Sequence, residues 1–144
     1  MGLFVETKVG KSTLSWLAVD DEQKSYEEVH QTWCKFNFQF IEENVANKII
    51  GLRPPQVGGI FATLGFEKSD ENVATTIVMP TGTGKTETIL SIVVAGKFKR
   101  TLIVVPSDPL RKQTKDKFIK LGLLRQFGLI GKDIANPVVA TIQL

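Results

Sequence analysis

The stretch Ala74-Thr75-Thr76-Ile77-Val78-Met79-Pro80-Thr81-Gly82-Thr83-Gly84-Lys85-Thr86 decides the fold. Its first half is rich in Val, Ile and Thr, which suits a buried strand. Gly82 and Gly84 then permit a tight turn, because a residue without Cβ accepts backbone angles that others resist. Residues 85–97 (KTETILSIVVAGK) follow with an apolar stripe at Ile89, Ile92 and Val93, the spacing of a helix. A strand, a Gly-rich turn and a helix start together gather main-chain N–H groups at one point, aligned with the positive end of the helix. That arrangement suits phosphate. The Lys85 ammonium would bridge the β- and γ-phosphates of a nucleotide, and the Thr86 hydroxyl would hold Mg2+. Thr81, Gly82, Thr83 and Gly84 complete the expected cradle. Met79 stands where the general pattern has its first Gly.

A second Gly-Lys-Ser occurs at Gly10-Lys11-Ser12. It has no Gly-rich approach and no long apolar strand before it, so it is not expected to bind phosphate.

Downstream, Thr101–Val105 is a continuous apolar run ended by Pro106, and Pro137–Ile142 is another. Between them, Ser107 or Asp108 can cap a helix with Pro109 in its first turn, continuing to about Leu121. Upstream, Pro54 and Pro55 fit the first turn of a helix running to about Leu64. Strand, helix, strand, helix, strand implies a parallel sheet with right-handed crossovers, an α/β domain. About three of its strands are present. Residues 1–50 are expected as a mostly helical extension, with a short strand at Leu14–Val19. Helices are expected at about 20–40, capped by Asp20 or Asp21, and at 41–52, ended by Gly51. Phe36, Phe38 and Phe40 alternate and would equally suit a strand.

Charge is uneven. Residues 1–80 hold 7 Lys/Arg and 11 Asp/Glu, a balance of −4, whereas residues 81–144 hold 11 and 4, a balance of +7. Eight basic residues between Lys97 and Lys120 face only Asp108 and Asp116. A basic segment beside a phosphate loop suggests a polyanionic partner; a solvated helix face would look the same. Cys34 is the single cysteine, which excludes an intrachain disulfide and a cysteine zinc cluster. A reducing, cytoplasmic setting is expected. No stretch approaches the roughly 20 apolar residues of a membrane-spanning helix, and no membrane partner is expected.

With residues 79–86 in place, the chain resembles the superfamily 2 helicases and translocases, above all the DEAD/DEAH-like group that includes restriction-enzyme motor subunits. Three further stretches carry the likeness. Leu52-Arg53-Pro54-Pro55-Gln56 resembles the adenine-reading segment of that family, and a Gln amide offers both the donor and the acceptor that adenine's edge requires. Arg53 and Gln56 are thereby implied as nucleotide contacts. Val104-Val105-Pro106-Ser107-Asp108-Pro109-Leu110-Arg111-Lys112-Gln113 resembles motif Ia, which implies Ser107, Arg111 and Gln113 as contacts to a nucleic-acid backbone. Val138–Gln143 resembles the strand near motif Ib, with Thr141 close to nucleic acid. The resemblance spans residues 51–144 and implies the first part of a P-loop, RecA-like ATP-binding domain. ATP and Mg2+ would be its cofactors. Nucleic acid, DNA before RNA, and the remainder of the helicase or a companion subunit would be its partners.

Phosphoryl transfer also needs a Mg2+ carboxylate, a water-orienting residue and an arginine at the γ-phosphate. After Thr86 the acids are Glu87, Asp108, Asp116 and Asp133, and no Asp-Glu pair occurs among them. The pairs Asp21-Glu22 and Asp70-Glu71 lie upstream, in the wrong order for this family. ATP hydrolysis is therefore expected of a full-length relative, with this chain a fragment of low activity. Two other readings remain open: a small P-loop kinase, and a non-catalytic remnant that binds nucleotide or nucleic acid.

Overall fold

The computed structural model describes residues 3–18, 24–69 and 73–143. The chain runs β1 (Leu3–Val9), β2 (Ser12–Ala18), α1 (Tyr26–Lys35), α2 (Pro54–Glu67), α3 (Lys85–Ala95), α4 (Asp108–Ile119) and β3 (Val139–Gln143). None of these helices is long and apolar enough to cross a membrane.

The three helices expected from the prolines and the glycine turn form where the sequence places them. Pro54 occupies the first turn of α2, where its missing N–H has no helical partner to lose. Pro109 does the same for α4. Helix α3 starts directly after Gly84. It closes with Lys97 at φ 55, the N–H of Lys97 bonding Val94 O and that of Phe98 bonding Val93 O.

The sheet differs from expectation. It has the order β1-β2-β3, and both pairings are antiparallel, with Val9 opposite Ser12, Leu17 opposite Val139 and Thr13 opposite Gln143. Residues 74–79 and 101–105 are extended but belong to no strand. Val78 (89% exposed), Leu102 (81%) and Val104 (84%) consequently face solvent. The physical reason lies in connectivity. A hairpin joined by the two-residue turn Gly10-Lys11 forms an antiparallel edge locally, whereas parallel strands need long crossovers and cover on both faces.

The first 50 residues also depart from a mostly helical extension. Among the described residues they contain the β1–β2 hairpin and a single helix, α1. Ser25 caps α1, exchanging bonds with Glu28 in both directions, so the cap lies later than expected. Asp20 and Asp21 lie outside the described residues, as do both Asp-Glu pairs. Residues 41–52 are not helical: Glu42 bridges Leu52, and Asn44 bridges Ile49. Gly51 is there because a Cβ would collide with the Ile41 carbonyl, not because a helix ends. The Gly10-Lys11-Ser12 copy is the hairpin turn, with Gly10 at φ 63 and a strand following it, so no helix N-terminus is available to an anion.

One core joins the four helices and the segment after α4. Val29 and Trp33 of α1 share it with Leu52, Ile60, Leu90, Val93, Val94 and Phe118. The segment after α4 adds Leu121, Leu124, Leu129 and Ile134. Trp33 is fixed further by its Nε1–H, which donates to Ala135 O at 3.0 Å. Phe40 stacks on Phe61 of α2, centroids 4.6 Å apart.

Candidate functional site

The turn before α3 is built around two glycines in the left-handed region, Gly82 at φ 80 and Gly84 at φ 83. A side chain at either position would be strained. Gly84 is the N-cap residue of α3 and offers no side-chain acceptor to the first helical N–H groups. Those groups have no partner within the helix, so the turn ends in unclaimed donors at the positive helix end. Thr83 Oγ1 closes the turn by donating to Pro80 O at 2.7 Å. Thr81, Gly82 and Lys85 are exposed, and Thr83, Gly84 and Thr86 are half-buried.

Helix α2 holds this turn from behind. Arg53 Nη1 donates to Gly82 O at 2.8 Å. Gln56 Nε2 donates to Gly84 O at 3.1 Å, while Gln56 Oε1 accepts from Arg53 N at 2.9 Å. Gln56 is 4% exposed. Its amide therefore spends one donor and one acceptor on the protein and keeps one of each. Gly84 O also accepts from Thr88 N and Thr88 Oγ1, at 3.0 and 3.1 Å. Gly59 of α2 faces α3 and the approach to the turn: a Cβ there would lie at ordinary contact distance, 3.5 Å from Thr88 Cγ2 and 3.7 Å from the Met79 sulfur. Arg53 and Gln56 are thus brought against Gly82 and Gly84.

The second group of expected contacts lies on other elements. Ser107 caps α4 in extended conformation and is exposed; its carbonyl accepts from Arg111 N at 2.9 Å. Arg111 Nη2 lies 3.2 Å from Asp108 Oδ1. Gln113, two residues after Arg111, is exposed. Thr141 is in β3 opposite Ser15 of β2, and β3 packs near α4.

One link between the two groups was not foreseen from the sequence. Glu87, the residue after Thr86, is buried on α3, and its Oε1 lies 2.6 Å from Lys117 Nζ on α4. An acid in the first turn of a helix is ordinarily read as a dipole partner, and nothing in the spacing of residues 87 and 117 announces a contact.

Among the described residues, no group of three or more His, Cys, Asp or Glu is placed to hold a metal ion.

No match was found among curated proteins or among solved structures. A family model did match: residues 24–136 fit the one described as type III restriction enzyme, res subunit. That span includes α1 to α4 and the entire glycine turn. The chain therefore belongs to this family, and it carries a helicase superfamily 2 N-terminal domain of ATP-binding, helicase-like type.

Proposed function

We propose that residues 79–86 bind the triphosphate of ATP with Mg2+ and that this chain is the nucleotide-binding part of a nucleic-acid translocase or helicase. The observation that carries the reading is Gly82 and Gly84, both at positive φ, opening onto the uncapped start of α3 beside an exposed Lys85. The residues present fit the group, since a Cβ at Gly82 would meet nothing within 4 Å and the approach to the turn is open. In this reading Lys85 neutralises the β- and γ-phosphates and Thr86 contributes a hydroxyl to the metal. Magnesium would supply charge neutralisation to the phosphates. Arg53 holds the loop through Gly82 O, and Gln56 turns its remaining donor and acceptor to the adenine edge.

Ser107, Arg111, Gln113 and Thr141 are the proposed contacts to a nucleic-acid backbone, DNA before RNA, with basic α4 supplying attraction. Residues 74–79 and 101–105 are the proposed strands of a RecA-like parallel sheet, which pairing with further strands would complete. Their apolar exposure supports this. No Asp-Glu pair follows Thr86, so turnover by this chain alone is expected to be slow, in a cytoplasmic protein that works with the remainder of a motor or a companion subunit.

Titration of Mg-ATP into the wild-type chain and Lys85→Ala tests the reading. The variant should lose about tenfold or more in affinity, the equivalent of about 1.4 kcal/mol. Its thermal unfolding should be unchanged, because Lys85 is exposed. Equal affinities would rule the site out.

A further inference from the structure

Glu87 stands at the junction between the glycine turn and α4. Its side chain is 8% exposed, and Oε1 is 2.6 Å from Lys117 Nζ. The other oxygen borders the turn: a Cβ placed on Gly84 would lie 3.7 Å from Glu87 Oε2 and 2.6 Å from Gln56 Nε2. One carboxylate therefore touches α4 with one oxygen and lies beside Gly84, on its Gln56 side, with the other, close behind the turn. A carboxylate this far from water depends on its partner, since solvent cannot replace a lost cation without rearrangement.

Lys117 is less enclosed, with 33% of its side chain exposed. Together with Gln113, Asp116, Lys120 and Leu123 it lines an open cavity of about 310 Å3 that Glu87 also borders. Lys117 and Lys120 stand on its rim with Gln113 alongside. Asp116 is the only other acid on that rim.

We propose that the Glu87–Lys117 pair couples the two sites, with Lys117 shared between Glu87 and a phosphate of the nucleic-acid backbone. This rests on the function proposed above. When a backbone phosphate draws on the Lys117 ammonium, the Glu87 charge beside Gly84 is less compensated. A triphosphate in the turn then meets more negative potential, so each ligand weakens the other by the same factor. The 2.6 Å pair is the element through which that factor is transmitted.

The two partners of the pair give opposite signs. Glu87→Gln keeps shape and a hydrogen bond to Lys117 but removes the charge; it should bind Mg-ATP as tightly as wild type or more tightly, and the effect of DNA should vanish. Lys117→Met leaves the carboxylate uncompensated; it should bind Mg-ATP more weakly and also ignore DNA. The test is titration of the full chain with Mg-ATP, with and without a saturating deoxythymidine oligonucleotide. Wild type should lose about fivefold or more in ATP affinity on adding DNA, and each variant less than about twofold, the span in which coupling is readily measured. Direct competition of the two ligands for one site would survive Glu87→Gln, and that result overturns the proposal. So does a Glu87→Gln chain that binds ATP more weakly, which marks Glu87 as merely structural. If wild type binds both ligands and the variants couple as it does, only this inference falls. If wild type binds no ATP at all, the function proposed above falls and takes the coupling with it. Should Glu87→Gln fail to fold, Lys117→Met decides on the same readout.

Discussion

Gly84 is the residue on which most of the site converges. Its φ of 83 sets the direction of α3, and its carbonyl accepts from Gln56 Nε2, Thr88 N and Thr88 Oγ1. It also leaves room that Gln56 occupies, because an added Cβ would stand 2.6 Å from Gln56 Nε2. Gly84→Ala therefore meets two penalties, a strained backbone and a displaced amide. We expect it to lose about 1–3 kcal/mol of stability in urea unfolding. Nucleotide affinity should fall as well. An alanine variant as stable as wild type would show that the bond from Gln56 contributes nothing. The place of Gly82, Gly84, Lys85 and Thr86 at a left-handed turn opening a helix was legible from residue type and order, since few side chains satisfy such a turn. That of Glu87 was not, because its partner is 30 residues away and chosen by the way α4 packs.

At the level of elements, helices start where local chemistry says so. Pro54, Pro109 and Gly84 each mark a first turn, and all three helices form there. The start of α1 follows the same logic four or five residues later than Asp21 or Asp20 suggested, at Ser25. Glu28 accepts from Ser25 N at 2.6 Å, and this bond, with the Ser25 hydroxyl and nearby Lys24, lowers its carboxyl pKa below the ordinary value. A carboxylate with a depressed folded pKa stabilises the fold above its unfolded pKa, and that contribution is lost as pH falls through the folded value. The cap of α1 should therefore be fully present at neutral pH and fade below the ordinary glutamate range. Glu28→Ala should lower helical circular dichroism or thermal stability at neutral pH, and its difference from wild type should shrink on acidification, as the wild-type carboxylate is protonated and loses its advantage as acceptor from Ser25 N. A difference independent of pH would show that Glu28 takes no part in the cap. Strand pairing was less legible than the helices, since an apolar run announces a strand but not its neighbour.

At the scale of the whole molecule, apolar extended segments remain in solvent. Val78, Leu102 and Val104 lie on unpaired backbone at residues 74–79 and 101–105, and such edges template further pairing. The chain is expected to self-associate as its concentration rises, which sedimentation velocity would detect. Val78→Lys together with Leu102→Lys should suppress it while Mg-ATP affinity stays unchanged. Sedimentation as a monomer across the accessible concentration range would show these segments to be covered in solution.

Residue order by itself determined the glycine turn, the three helices around it and the basic bias of the second half, because each follows from short-range geometry or from counting charge. The pairing of β3 with the β1–β2 hairpin was decided only by the tertiary structure, as were the sharing of one core by α1 and Leu52 and the contact of Glu87 with Lys117. Each of these depends on which distant surfaces meet, and the free energy of that choice resides in burial and charge compensation that no local spacing records.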